Sequence, residues 1–229
     1  KGKGKTYPEE AGKRRHTREP TISYKKGNRG YNILRFPIFF LYTPKTMTTE
    51  ETAREVKKAL RSAMNGVLSA QMRQAGMPYR LVFGVELPRL REIAREFPSD
   101  RALAQNLWNQ PIRECKMLAA MLMPIEEMLP EVAEIWTDEM PTAEIAQTTV
   151  MFLFSRTSWA SDIAFQWIAG EHPMRQLCGY LILARLMVQG AEFNAPSILE
   201  IRDQAEATLP QADLHLQKAI HAVLDRLDA

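Results

Sequence analysis

The sequence predicts an all-α protein in which antiparallel helix pairs stack side by side as an α–α solenoid. Long apolar runs follow four prolines that are spaced by 30, 32 and 37 residues: Pro111, Pro141, Pro173 and Pro210. A proline suits the first turn of a helix, because its missing N–H would have no partner there. A period in the thirties, filled by two short helices, is typical of stacked helical repeats. No segment shows the sustained alternation of a β-strand.

Capping residues and breakers place the individual helices. Thr48 with Glu51, and Ser197 with Glu200, have the spacing of capping boxes, which begin helices. Glycines are expected at helix ends: Gly66, Gly76, Gly170 and Gly190. The expected helices span 49–65, 67–76, 88–97, 100–109, 111–123, 125–137, 141–154, 158–169, 173–189, 197–208 and 211–227. The helices beginning near 111, 141, 173 and 210 form one series, and those near 125, 158 and 197 form its partner series.

Charge divides the chain into two parts. Residues 1–46 carry 12 Lys and Arg against 3 Asp and Glu, whereas residues 47–229 carry 18 against 24. The glycine-spaced basic runs of 1–46 favour a disordered leader or an extension, and a nucleic-acid-binding arm is the functional alternative. Its apolar stretch at 36–42 is too short to cross a bilayer. We expect the helical-repeat domain to occupy 47–229, beginning at the capping box that follows Met47.

Cysteine, histidine and motif content exclude several classes of site. Cys115 and Cys178 both lie in apolar helical runs, which predicts buried thiols in a reduced, cytoplasmic setting. The four histidines are scattered, so no metal site is expected. No phosphate-binding loop, dinucleotide fingerprint or Ser/His/Asp arrangement is present, and no cofactor is expected.

Four segments, taken in order, resemble a known family. They are GVELPRLREIAREF at 84–97, ALAQNLWNQPIRECKMLAAMLM at 102–123, FQWIA at 165–169 and LHLQKAIHAVLDRL at 214–227. Their order and spacing resemble the AlkD-type DNA alkylation repair family, which is built from HEAT-like helical repeats. The resemblance implies a HEAT-like fold, binding to double-stranded DNA and excision of cationic N-alkylated purines.

The resemblance also implies where a catalytic carboxylate would lie. A carboxylate near the sugar stabilises the positive charge that develops as a cationic base leaves. The family places a Trp-x-x-x-Asp pair on one helix and a further Trp on the last helix. In this chain those positions read Met140, Glu144 and Ala222. Glu144 is therefore the candidate catalytic residue, and the pair Trp159 and Asp162 is a less favoured alternative.

Four basic residues on the first helix series are candidate DNA contacts: Arg113, Lys116, Arg175 and Lys218. On a concave face, their positive charge would meet backbone phosphates. The alternative is structural pairing with carboxylates between repeats. The function that competes with repair is a non-catalytic repeat module that binds DNA structures or a protein partner. Three tryptophans at apolar helical positions are expected to pack in the core: Trp108, Trp136 and Trp167.

Overall fold

The computed structural model describes residues 47–228, so the basic leader expected at 1–46 lies outside the described residues. Between 47 and 228 the chain forms eleven α-helices, three short 3₁₀ turns and one isolated bridge between Leu81 and Ile112. The helices are α1 (Thr49–Ser62), α2 (Gly66–Gln74), α3 (Leu87–Arg95), α4 (Arg101–Trp108), α5 (Arg113–Leu122), α6 (Pro130–Asp138), α7 (Ala143–Phe152), α8 (Ala160–Ala169), α9 (Pro173–Val188), α10 (Ala195–Thr208) and α11 (Leu214–Leu227). The all-α prediction is confirmed.

The packing order of the helices is that of a repeat array. Helices α5, α7, α9 and α11 pack one against the next, as the first predicted series requires. Helix α4 packs on α5, α8 packs on α9, and α10 contacts both α8 and α11. At the amino-terminal end, α1 packs on α3 and α4, and α3 packs on α5. Since a short helix cannot bury its apolar face alone, this stacking supplies the core.

The core runs continuously through the array. Helix α5 is buried on nearly all sides through Met117, Leu118, Ala119 and Ala120, because α3, α4 and α7 surround it. Methionine fills irregular gaps of this kind well. The tryptophans expected in the core are buried there: Trp108, Trp136 and Trp167.

Two of the four repeat prolines precede their helices by two residues. Pro111 and Pro141 are followed by the extended caps Ile112 and Thr142, so the helices begin at 113 and 143. The carbonyl of Pro111 accepts the backbone N–H of Leu81 at 3.3 Å, which keeps the chain extended at that point. Pro173 does occupy the first turn of α9, whereas Pro210 lies in a 3₁₀ turn.

One capping box was predicted correctly and the other was not. The Thr48 hydroxyl accepts the N–H of Glu51, and the Glu51 carboxylate accepts the N–H of Thr48. At α10, however, the Asn194 side chain caps the helix by accepting the N–H of Ser197 at 2.9 Å. Pro196 can then lie inside the first turn, where its missing N–H does no harm.

Two further expectations were wrong in detail. Gly66 is the first residue of α2 and does not terminate α1, because the Asn65 side chain caps α2 by accepting the N–H of Leu68. The helix expected at 125–137 divides into a 3₁₀ turn at Ile125–Glu127 and α6, which begins at Pro130. A proline at that position cannot continue an existing helix but readily begins a new one.

Candidate nucleic-acid interface

Arg113 and Glu144 form a two-point ion pair between the first turns of α5 and α7. The Arg113 Nε donates to Glu144 Oε2 at 2.7 Å, and Nη2 donates to Oε1 at 2.5 Å. The Arg113 side chain is 4% exposed and that of Glu144 is 34% exposed. A buried guanidinium requires such a partner, because an unpaired charge in the interior is strongly destabilising. Both carboxylate oxygens of the candidate catalytic residue are therefore engaged by one arginine.

The remaining Arg113 donor joins a second buried network. Nη1 donates to the Val85 carbonyl at 3.1 Å and to Glu114 Oε1 at 3.0 Å. The fully buried Glu114 carboxylate also accepts the backbone N–H groups of Phe83, Gly84 and Val85, at 3.0, 2.9 and 3.3 Å. This network fixes the extended segment before α3 against the start of α5.

These contacts stabilise the charged form of Arg113. Burial alone would lower the pKa of its guanidinium, but the hydrogen bond with Glu144 and the charges of Glu144 and Glu114 outweigh burial and raise the pKa. Arg113 is thus paired with carboxylates in this structure, and its side chain is 4% exposed. Its main partner is Glu144, at a distance of 31 residues in the chain.

The neighbours of Glu144 offer no aromatic surface from the positions that the resemblance singled out. Met140 is 6% exposed, and its sulfur lies 3.9 Å from the buried Sγ of Cys178. Burial raises the pKa of the Cys178 thiol to about 12, so this sulfur is unreactive near neutral pH. Position 222 on α11 is alanine. The Tyr79 side chain lies close enough to interact with Glu144 and Arg113, and its hydroxyl is bonded to the Thr142 hydroxyl at 2.8 Å.

The alternative pair, Trp159 and Asp162, has different surroundings. Trp159 precedes α8 and donates its ring N–H to the Met128 carbonyl at 2.9 Å. Its ring also packs against Phe154, with 5.9 Å between the centroids. Asp162 is exposed in the first turn of α8, where a carboxylate is favoured by the helix dipole. Both residues thus have ordinary structural surroundings.

Lys116 is held against the tryptophan stack. Its Nζ lies 4.4 Å from the centroid of the Trp108 ring and donates to the Trp108 carbonyl at 2.9 Å. The ring of Trp108 stacks on that of Trp136 with 4.0 Å between centroids. Burial lowers the pKa of Lys116, and the nearby charge of Glu139 opposes this shift. A cation over an indole face stabilises the fold, so Lys116 also has a structural partner.

Arg175 is paired with two carboxylates of α6. Its Nε and Nη2 donate to Asp138 at 2.8 and 2.7 Å, and Nη1 lies 3.4 Å from Glu134. The hydrogen bond from Arg175 lowers the pKa of Asp138 below its usual value. Because the arginine side chain is 29% exposed, it is accessible, but two acidic groups already offset its charge.

Lys218 differs from the other three candidates. It is exposed on α11 and makes no ion pair with another residue of 47–228. It shares one face of α11 with Ala222 and Arg226, at spacings of four and eight residues. Arg226, one turn of helix beyond Ala222, donates to the Ala222 carbonyl and is also exposed.

Arg226 belongs to a cavity that lies across three helices of the first series. The cavity has a volume of about 270 Å³. It is lined by residues of α7, α9 and α11: Gln147, Val150, Met151, Leu181, Ala184, Arg185, Val188 and Arg226. We call this set the arginine groove. It contains two arginines and no carboxylate, and neither arginine forms an ion pair within residues 47–228.

Two further arginines lie next to the arginine groove. The guanidinium of Arg91, on α3, is 5.8 Å from the centroid of the Phe152 ring. Arg156 donates to the Phe152 carbonyl at 3.4 Å. Phe152 ends α7 and directly follows Met151 of the groove. Positive charge therefore continues from the groove to the carboxyl-terminal end of α7.

Sequence reasoning did not single out Arg185 or Arg226. Arg185 lies in the same helix as Arg175, ten residues further on, and Arg226 is eight residues beyond Lys218. The spacing of four residues between Lys218, Ala222 and Arg226 could have indicated Arg226, because it places all three on one face of a helix. Arg185 had no comparable signal, because its lack of a partner depends on the packing of α7 and α11.

Two classes of site have no candidate among the described residues. Between 47 and 228, no three His, Cys, Asp or Glu side chains come together in a way that could bind a metal ion. Nor does any helix in this part of the chain have the length and apolar character needed to cross a membrane.

Comparisons with known proteins agree with the helical-repeat class that the fold defines. A family model described as DNA alkylation repair enzyme matches residues 56–227, so the chain belongs to this family. A solved structure described as "A new family of proteins related to the HEAT-like repeat DNA glycosylases with affinity for branched DNA structures" matches with a TM-score of 0.67 and 16% identity. The match covers 76% of this chain and 74% of that one, and at this identity it shows a shared HEAT-like fold. A search of curated proteins found no match.

Proposed function

We propose that this protein binds DNA through the arginine groove and Lys218, prefers branched DNA to intact duplex, and does not excise bases through Glu144. The main support for this proposal is that some of its basic residues have structural partners and others have no carboxylate partner among the described residues. Arg113, Lys116 and Arg175 have structural partners, whereas Arg185, Arg226 and Lys218 have no carboxylate partner within residues 47–228. Among these six residues, the second group is therefore the better placed to meet phosphates.

Local charge supports this surface although residues 47–229 are acidic as a whole. Affinity for DNA depends on phosphates that are neutralised at the interface, so a basic stripe suffices on an acidic protein. The groove supplies Arg185 and Arg226, and Arg91 and Arg156 lie at the adjacent end of α7. The preference for branched DNA is carried over from the structurally similar protein, whose description gives it that affinity. Buried free thiols at Cys115 and Cys178 suit the cytoplasmic setting that we propose.

The state of Glu144 argues against base excision. A carboxylate that stabilises a cationic sugar must direct its charge toward that sugar. Here both oxygens accept hydrogen bonds from Arg113, which offsets the negative charge at 2.5 and 2.7 Å. Indole faces at positions 140 and 222, which would favour a cation, are replaced by Met and Ala.

The test is a binding titration by fluorescence anisotropy, with the full chain, a labelled four-way junction and a duplex of matched length, at several salt concentrations. The double variant Arg185→Gln/Arg226→Gln should bind both DNAs at least about tenfold more weakly, since a hydrogen bond to a charged group contributes about 1.5–3 kcal/mol. A plot of the logarithm of the binding constant against the logarithm of the salt concentration has a slope, called here the salt slope. Its magnitude should fall by about 1 for each phosphate contact removed.

Arg101→Gln is the matched control. Arg101 is an exposed arginine at the start of α4, outside the groove, with no ion pair among the described residues. This variant should bind within about twofold of wild type. Equal binding by wild type and the double variant at every salt concentration would overturn the proposed surface. Equal affinity of wild type for junction and duplex would overturn the preference for branched DNA.

A further inference from the structure

The arginine groove contains a buried donor that nothing in the described structure satisfies. Arg185 Nε is shielded from solvent and has no hydrogen-bond partner within residues 47–228. Burying a polar group without a partner is destabilising, so native proteins rarely retain one without a reason. Four other buried polar atoms of residues 47–228 also lack a partner, on Thr149, Ser155, Trp167 and Tyr180, but Arg185 is the one of the five that lines the 270 Å³ cavity, where an acceptor could enter.

The lining of the cavity has two chemical parts. Arg185 and Arg226 provide guanidinium groups, whose planar N–H donors match the oxygens of a phosphate. Met151, Leu181 and Val188 provide apolar contact area. Of these, Met151 is 40% and Val188 57% exposed, so the apolar part is open to an incoming group.

A single nucleotide carries both kinds of group that the residues of the cavity could bind, a phosphate and a base. Its phosphate is an acceptor for the two arginines, and its base has apolar faces that pack against aliphatic side chains. Gln147 carries an amide that both donates and accepts, as the edge of a base requires. The volume of about 270 Å³ lies just below the roughly 300–1,000 Å³ of pockets for drug-sized ligands, and this size suits a single base.

We infer that the arginine groove receives one unpaired nucleotide of a bound DNA, with its phosphate on Arg185 and Arg226 and its base against Met151, Leu181 and Val188. This inference rests on the DNA binding proposed above. A paired base in intact duplex is stacked, so taking it out of the stack costs free energy, whereas a base at a branch point or bulge is already partly unstacked. The groove would thereby give branched DNA its advantage over duplex.

The experiment uses DNA with one unpaired 2-aminopurine, whose fluorescence reports its stacking, and the same duplex without the extra nucleotide. Binding of the full chain to the bulged DNA should change the 2-aminopurine signal. In the variant Met151→Ser/Val188→Ser, which keeps both arginines, the preference for bulged DNA over duplex should fall at least about threefold, toward equality.

Leu199→Ser is the control, because Leu199 is 61% exposed on α10 and lies outside the groove. It should retain the wild-type preference, and melting curves verify that all variants fold. An unchanged 2-aminopurine signal, or a serine double variant with the wild-type preference, would overturn the inference. If the variant Arg185→Gln/Arg226→Gln still binds both DNAs more weakly than wild type in that case, the proposed DNA surface stands. If the wild type binds neither DNA, the proposed function and the inference both fail.

Discussion

Arg113 and Glu144 connect α5 to α7 through two parallel hydrogen bonds, and they occupy positions 31 residues apart. Other contacts between repeats have the same separation. Trp108 donates to Glu139, Trp136 donates to Gln105 and Trp159 donates to the Met128 carbonyl, each across 31 residues. Three of these four contacts join the helix pair α4 and α5 to the pair α6 and α7, so polar contacts hold these neighbouring pairs together in addition to the apolar core. Glu144 belongs to this set of contacts.

The first prediction follows from the burial of Arg113. Glu144→Gln should lower the free energy of unfolding by about 2 kcal/mol, because it leaves a buried guanidinium without its main counter-charge. For a domain of this size, the melting temperature should fall by about 4–8 °C. Asp162→Asn is the control, because Asp162 is exposed, and it should change stability by less than about 0.5 kcal/mol. Equal melting temperatures for Glu144→Gln and wild type would show that the ion pair has no structural role.

The second prediction separates structural lysines from DNA-binding lysines. Lys116→Met should reduce stability by about 1 kcal/mol, because it removes the cation from the Trp108 ring. It should leave affinity for DNA unchanged. Lys218→Met should do the opposite: no measurable loss of stability, but weaker DNA binding and a salt slope that is smaller by about 1. Thermal melting and anisotropy titrations of the two variants provide the comparison. A loss of DNA affinity in Lys116→Met without loss of stability would contradict the structural assignment.

The third prediction concerns Gly84, which has φ +72°. A Cβ at this position would lie 2.5 Å from the Asn65 carbonyl oxygen and 2.6 Å from the Ser69 nitrogen. Gly84→Ala should therefore destabilise the fold by at least about 3 kcal/mol, from backbone strain and overpacking together.

Gly190 provides the control for this substitution. It has φ +88°, but a Cβ there would meet nothing within 4 Å. Gly190→Ala should cost about 1 kcal/mol from backbone strain alone. Chemical denaturation of both variants measures the difference. Similar losses in the two would mean that the segment before α3 can move away from α2.

The fourth prediction is a pH dependence. Because Arg175 lowers the pKa of Asp138, the folded protein favours the ionised carboxylate. The resulting stabilisation is present above the unfolded pKa of about 4 and is lost as the pH falls through the folded pKa. Arg175→Gln should thus reduce stability at pH 6 by less than about 1 kcal/mol, as expected for an exposed pair. The difference from wild type should shrink as the pH falls below about 4. A difference that persists unchanged at pH 2–3 would exclude this pair as its source.

Local signals in the sequence predicted the helices and their order well. The Thr48 capping box depends on contacts within a few residues, and the period of the prolines is a pattern of residue types, so a sequence displays both directly. Errors arose where a distant segment decided the outcome. Pro111 lies outside α5 because its carbonyl bonds to Leu81, at a distance of 30 residues in the chain.

For the candidate catalytic residue, the sequence predicted the position but not the contacts around it. The resemblance led to Glu144, and the structure places it at the start of α7 as expected. For its partner Arg113 the sequence left two roles open, a DNA contact and structural pairing, because neighbouring residues in sequence do not reveal which carboxylate one repeat away meets an arginine. The 31-residue separation of the pair became visible only in the structure, where other contacts share it. Arg185 could not be found from the sequence either, since its significance lies in a contact that is missing.

The fifth prediction is that wild-type protein releases no N-methylated purine in a Glu144-dependent manner. The Glu144 carboxylate is already neutralised by Arg113, and no indole is present at positions 140 and 222 to favour a cation. A base-release assay at protein excess, on duplex DNA bearing N-methylated purines, should give the rate of the protein-free control. Anisotropy with the same DNA verifies that the protein is bound during the assay. Release that Glu144→Gln abolishes while Asp162→Asn preserves it, with both variants shown to be folded, would establish Glu144 as a catalytic residue and would overturn the non-catalytic assignment.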